Sequence, residues 1–163
     1  MSDSHSLLFV CLGNICRSPL AEGIFLHQAR ERGVLNRFVV DSCGLGSWHA
    51  GQRPDPRALA VALRNGVELP SIARQFEPST DAIRFDLILA MDRANVRGLI
   101  ERGAARNQVS LMRSFDPTLK DRPQHELEVP DPYYGSDRGF DDVFAMLTRA
   151  CEGLLDSLCG ERI

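Results

Sequence analysis

The chain has 163 residues, with 19 lysines and arginines against 22 aspartates and glutamates and a formal net charge of −3. That length buries the core of one domain without disulfides or metal, and the near-balanced, scattered charge builds no basic face for nucleic acid or an anionic membrane. No stretch approaches the roughly 18 apolar residues of a membrane span and the N-terminus lacks a basic leader region, so a cytoplasmic location is expected, with neither membrane nor nucleic acid as partner.

The apolar run at 7–10 (LLFV) reads as a first strand, and a helix over 19–33 follows, with Ala21, Phe25 and Ala29 on one face. FVV at 38–40 reads as a second strand and 55–65 as a second helix. FDLILAM at 85–91 gives a third strand, 92–102 a helix, and QVSLM at 108–112 a fourth strand. Residues 113–138 carry Pro117, Pro123, Pro130 and Pro132 with little apolar periodicity and read as a long loop. A final helix over 139–159 places Phe140, Val143, Phe144 and Leu147 together. Strands alternating with helices, with no repeat or linker, predict one α/β domain over 1–163: a four-stranded parallel twisted sheet with helices on both faces, flavodoxin-like or Rossmann-like. Such sheets bind ligands at the carboxyl ends of their strands, where strand order reverses.

The first strand ends in CLGNICRSP, residues 11–19. Ser18 is the expected N-cap of the helix, with Pro19 at its first position, so the loop wraps a helix N-terminus. Gly13 permits close approach and Asn14 tolerates left-handed backbone, which lets successive N–H groups converge on an anion. A cysteine beside converging amides, a helix dipole and the Arg17 guanidinium is expected to be a thiolate, since such settings lower a thiol pKa from about 8.5 to roughly 3.5–7.5. Cys11 is therefore the candidate nucleophile and Arg17, six residues on, the bidentate clamp for a tetrahedral oxyanion. No Gly-Lys-Ser/Thr follows the glycine and no G-x-G-x-x-G is present, which excludes the usual nucleotide loops. Cys11 and Cys16 have no further pair of ligands at zinc spacing. The five cysteines (11, 16, 43, 151 and 159) form no disulfide framework, and Cys43, Cys151 and Cys159 read as small buried residues. In the late segment VPDPYYG, Asp131 sits between Pro130 and Pro132, which restrict the backbone around a carboxyl suited to proton transfer.

Together, the loop Cys11–Pro19 and the segment Asp131-Pro132-Tyr133-Tyr134-Gly135 resemble the signature and general-acid loops of the low-molecular-weight protein tyrosine phosphatases. The resemblance extends through Asp41-Ser42, Trp48, Pro54 to Arg57, Ala73-Arg74-Gln75 and Met91-Asp92. It implies hydrolysis of phosphotyrosine and aryl phosphates through a phosphocysteine on Cys11, with no metal or organic cofactor. Phosphate would lie on Leu12, Gly13, Asn14, Ile15, Cys16, Arg17 and Ser18, with Asp131 as acid and then base. Asn14 and Ser42 would brace the loop, Ser18 assist departure of the thiolate, and Asp92 orient Arg17. Trp48, Tyr133 and Tyr134 would wall the aryl ring, while His49 is either a tuning residue or a solvated loop histidine. The expected partners are phosphotyrosine proteins and a cognate tyrosine kinase, for which Tyr133 and Tyr134 are candidate targets, and the protein is expected to be a monomer or weak dimer. Cys16 is a candidate for a protective disulfide with Cys11 under oxidation.

Relatives often carry histidine before Ala-Arg-Gln where this chain has Ser71-Ile72, which bears on the stiffness of the Asn14 network. Two rivals stand beside this reading. An arsenate reductase needs distal relay cysteines, and none occurs between Cys43 and Cys151. A silent phosphotyrosine-binding module would not require Cys11, Arg17 and Asp131 together.

Overall fold

The computed structural model describes residues 4–160. Its strands are β1 (His5–Cys11), β2 (Phe38–Gly44), β3 (Leu87–Ala90) and β4 (Val109–Leu111). Between and after them lie helices α1 (Arg17–Glu31), α2 (Pro56–Arg64), α3 (Pro78–Arg84), α4 (Arg93–Glu101) and α5 (Asp137–Cys159). All pairings are parallel, in the order β2-β1-β3-β4. The chain leaves β1 to one side to make β2 and to the other to make β3, so strand order reverses beside β1, and the crevice opens at its carboxyl end. Cys11 is the last residue of that strand.

Both faces of β1 are buried, which is why LLFV runs apolar without alternating. Leu7 and Phe9 pack with Ala21, Ile24 and Phe25 of α1 and Leu147 and Leu154 of α5. Leu8 and Val10 pack on the opposite face with Phe85, Leu99 of α4 and Ala104. Burying such a side chain fully is worth about 1.5–3 kcal/mol, so β1 is held firmly from two sides and its end is a rigid place to mount a nucleophile.

The four strands and the four foreseen helices are all present, with ends moved by a few residues. The helix α3 is additional. Its sequence carries no apolar face, since Ile83 is exposed and the buried residue is Asp81. Asp81 accepts the Glu77 N–H at 2.7 Å and pairs with Arg74 at 2.9 Å, so polar contacts seat this helix together with Ala82, which is half-buried against the core. The long loop is partly ordered into 3-10 turns at Met112–Phe115, Pro117–Leu119 and Gln124–Glu126. Buried Asp116 holds the middle turn through the Thr118 amide and hydroxyl, and Arg149 of α5 reaches it at 3.3 Å. Among the described residues, no helix is long and apolar enough to cross a membrane.

Candidate active site

The loop after β1 enters α1 two residues earlier than the cap chemistry suggests. Arg17 is the first helical residue and Cys16 occupies the N-cap position without a side-chain cap bond. Ser18 is inside the first turn and does not cap. Its hydroxyl is instead engaged by Cys11 Sγ at 3.1 Å and by Asn14 Nδ2 at 2.8 Å. Pro19 is tolerated all the same, because the first helical turn has no intrahelical acceptors for its amides. The left-handed residue is Asn14, at φ 57°, whereas Gly13 serves close approach: a Cβ there would lie 3.1 Å from the His49 ring. The turn at Asn14 aims its own N–H back at Cys11 Sγ, 3.3 Å away.

Asn14 is the hub of the support beneath the thiol. Its amide nitrogen donates to Ser18 Oγ and, at 3.0 Å, to Ser42 Oγ, while its oxygen accepts the Arg74 N–H at 3.0 Å. That pays the strain of a left-handed non-glycine residue with three hydrogen bonds. Asn14, Ser18 and Ser42 are buried behind the loop and do not line the cleft. Gly44, at the end of β2, was given no role by the sequence. A Cβ there would come within 2.9 Å of the Leu12 carbonyl oxygen and 3.1 Å of the Asn14 nitrogen, so only glycine lets β2 press on the loop.

Arg17 is 2% exposed and directed into the cleft. Nη1 donates to Asp92 Oδ2 at 2.7 Å and to the Val129 carbonyl at 3.0 Å, and Nη2 stands 3.6 Å from Asp131 Oδ2. Burial works against its charge, but Cys11, Asp92 and Asp131 outweigh it and raise the arginine pKa. Asp92 serves twice, since its other oxygen caps α4 through the Asn95 N–H at 2.8 Å. The Val129 carbonyl is a partner that no side-chain pattern announces.

Asp131 is 40% exposed on its side chain and folds back to accept the Tyr133 N–H at 3.0 Å, which orients its carboxyl. Arg57 was quoted in the sequence without a function and proves to hold this segment. It pairs with Asp55 at 3.0 Å and donates to the Tyr133 carbonyl at 3.0 Å and the Gly135 carbonyl at 3.4 Å. Asp55 in turn donates its N–H to Ile15 O at 2.8 Å, so one bridge joins the thiol loop to the acid segment. Its signal was present in Pro-Asp-Pro-Arg, where Asp55 caps α2 and Pro56 opens it.

Cys11, Leu12, Gly13, Ile15, Cys16 and Arg17 form the floor of a cleft of about 320 Å³, and Trp48, His49, Asp131, Tyr133 and Tyr134 form its walls. Tyr133 and Tyr134 meet edge to face at 4.9 Å. Trp48, 68% exposed, lies over Gly46, and Tyr134 is 92% exposed, so both present open aromatic surface at the rim. Burial, with Asp55 and Cys11 beside it, pushes the Cys16 thiol far up, leaving it protonated. All five cysteines are free.

A parallel α/β sheet carrying a thiol, a buried arginine and a carboxyl around one anion-sized loop defines a class of phosphate-ester chemistry built on cysteine. Residues 6–162 match the family Low molecular weight phosphotyrosine protein phosphatase. A low molecular weight phosphotyrosine protein phosphatase of Schizosaccharomyces pombe is 40% identical over 97% of this chain and 99% of its own. Low molecular weight protein-tyrosine phosphatase A of Mycobacterium tuberculosis is 42% identical over 96% of this chain and 93% of its own. A crystal structure of an Entamoeba histolytica protein tyrosine phosphatase, with Hepes in its active site, superposes with a TM-score of 0.87 at 39% identity, covering 95% and 97% of the two chains. The chain belongs to the low-molecular-weight phosphotyrosine protein phosphatase family.

Proposed function

We propose that this protein hydrolyses phosphotyrosine in proteins in two steps on Cys11. In the first, the Cys11 thiolate attacks phosphorus in line, the P–O bond to the tyrosine breaks, and Asp131 delivers a proton to the leaving phenolic oxygen. In the second, Asp131 takes a proton from water as that water attacks the phosphocysteine, and the S–P bond breaks to release phosphate and thiolate. Arg17 and the loop amides stabilise the equatorial oxygens in both steps, so the catalytic contribution is mainly positioning and charge. The observation that carries this reading is the convergence of Cys11, Arg17 and Asp131 on a single cleft, with Arg17 Nη2 3.6 Å from the Asp131 carboxylate.

The aromatic walls favour phosphotyrosine over phosphoserine by reach. A phosphoserine side chain is too short to bring phosphorus to a thiol on the floor while its backbone rides over Trp48 and Tyr134 at the rim. Five free thiols fit a reducing cytoplasm, and the natural partners are phosphotyrosine proteins together with the kinase that makes them.

Hydrolysis of para-nitrophenyl phosphate at mildly acidic pH with EDTA tests the assignment. The parent turns over, Cys11→Ser is inactive, Asp131→Ala is slowed by about 10²-fold, and phosphotyrosine peptides are preferred to phosphoserine peptides. An active Cys11→Ser protein refutes it.

A further inference from the structure

Away from the catalytic cleft, a groove of about 600 Å³ runs beside the edge of the sheet and shares no lining residue with that cleft. One wall is a face of α4: Arg93, Val96, Arg97 and Ile100, spaced three and four apart, all line it, whereas Gly98 and Leu99 are buried toward the core. The other wall is β4, the last strand in the order β2-β1-β3-β4. Val109, Ser110 and Leu111 all line the groove. Successive side chains of a strand point to opposite faces, so a groove that touches three consecutive residues lies along the strand's edge rather than over one face. An edge of this kind offers the outward peptide groups that its one neighbour does not use, an arrangement that accepts an extended chain. The Leu111 carbonyl is already taken by Ser114 Oγ at 2.6 Å, so the open part of the edge is at Val109 and Ser110.

The side chains add an apolar strip and a charge. Val96, Ile100, Val109 and Leu127 are only half-buried along the groove. Arg97 and Arg106 line it too, are exposed, and form no ion pair among the described residues. Arg93 is held by Glu128 at 3.3 Å, and the carboxylate in the lining is Glu101, at the far end of α4. On a chain with a net charge of −3, two unpaired guanidinium groups beside apolar surface are a local cationic site. No aromatic ring lines it on which a nucleotide base could stack, and the apolar strip gives a bare phosphate nothing to bind. The complementary ligand is an extended chain with carboxylates on one side and aliphatic side chains on the other. From Arg93 to Ile100 α4 rises about 10 Å, which such a chain crosses in about three residues.

We propose that the groove between α4 and β4 docks an extended acidic peptide segment of a protein partner, its backbone along Val109 and Ser110, its carboxylates on Arg97 and Arg106, and its aliphatic side chains against Val96, Ile100 and Leu127. Exposed ion pairs contribute little each, so backbone pairing and aliphatic burial hold the segment while the arginines select it.

Fluorescence anisotropy of the full chain with the dye-labelled peptide Glu-Leu-Glu-Val-Glu-Leu-Glu tests this. Saturable binding is expected below about 1 mM. It weakens by about tenfold when the glutamates become glutamines, and by about tenfold when the aliphatic residues become serines. The double variant Arg97→Glu, Arg106→Glu binds the parent peptide about tenfold more weakly, prefers the peptide with lysine in place of glutamate, and hydrolyses para-nitrophenyl phosphate within about twofold of the parent protein. Amide NMR signals of Ile100, Val109 and Ser110 shift on titration with the parent peptide, which locates the site without any variant. Absence of saturable binding, undiminished binding by the double variant, or amide shifts confined to other elements overturns the proposal. So does equal binding of the serine peptide or of an oligothymidylate, which would reveal attraction by charge alone. Displacement of the peptide by inorganic phosphate at constant ionic strength would place it in the catalytic cleft and overturns the proposal as well.

Discussion

Asp92 shows how one side chain can hold two parts of a site, and its replacement separates them. One oxygen accepts from Arg17 at 2.7 Å and the other caps α4 through the Asn95 N–H at 2.8 Å. Alanine removes both. A lost cap costs about 1 kcal/mol, and breaking a buried ion pair costs roughly 3 kcal/mol at the low end, which applies here because Val129 O and Asp131 still face Arg17. Asp92→Ala is therefore expected to lose about 4 kcal/mol in urea denaturation. Asparagine has one acceptor oxygen for two donors; with that oxygen on the α4 cap it turns its NH2 toward Arg17, and it loses about 2 kcal/mol. In both variants Arg17 loses the contact that fixes its guanidinium plane, and a displacement of about 1 Å there is expected to cost about 10²-fold in kcat/KM. Paired urea melts and steady-state assays read the two effects. If Asp92→Asn retains parental stability and is within about twofold of parental kcat/KM, Asp92 does not position Arg17.

Glu22 of α1 is buried behind the thiol loop, where it accepts from Ser42 Oγ at 2.6 Å, and burial lifts its pKa, so its carboxyl makes stability depend on pH. Its pKa is about 7 in the fold against an ordinary 4.5, so between those values the native state holds the extra proton and stability falls as pH rises, levelling off above the upper value. The displacement corresponds to about 3 kcal/mol; Glu22→Gln should gain about that much relative to the parent between pH 4.5 and pH 8, and parallel stability curves for the two proteins would contradict it. Arg57→Ala should reduce kcat about tenfold with little change in KM, because the acid segment loses its ties at Tyr133 and Gly135 while the thiol loop keeps its own; an unchanged kcat would show that the segment orders itself. Gly44→Ala should destabilise by about 1–3 kcal/mol and depress kcat/KM, since its Cβ would meet backbone of Leu12, Gly13 and Asn14 that cannot rotate away. Under peroxide, Cys11 oxidised to a sulfenic acid is expected to condense with the Cys16 thiol, releasing water and forming a disulfide that added thiol reduces. Cys16→Ser recovering as fully as the parent would remove that protective role.

The alternation of strands with helices was legible because both faces of the central strand β1 are buried and each helix but one carries an apolar stripe. Helix α3 was missed for want of such a stripe: Asp81 seats it through the nearby Glu77 N–H and Arg74, a local polar arrangement that no apolar periodicity marks and that Asp41 of β2 completes from across the fold. The candidate site follows the same division. The residue types at positions 11–19 and 131–135 already specify a thiol, an anion cradle and an acid, since those requirements are local and are met by neighbours in the chain. The sequence order of cap signals misplaced Ser18, because the pull of Cys11 and Asn14 on its hydroxyl outweighs the competing helix amide. The Val129 carbonyl, the Arg57 bridge, the fit of Gly44 against the loop and the burial of Glu22 depend on distances between segments remote in sequence. Hydrogen-bond partners and desolvation are set by what the folded sheet brings within about 3 Å, and no local pattern of residue types encodes that.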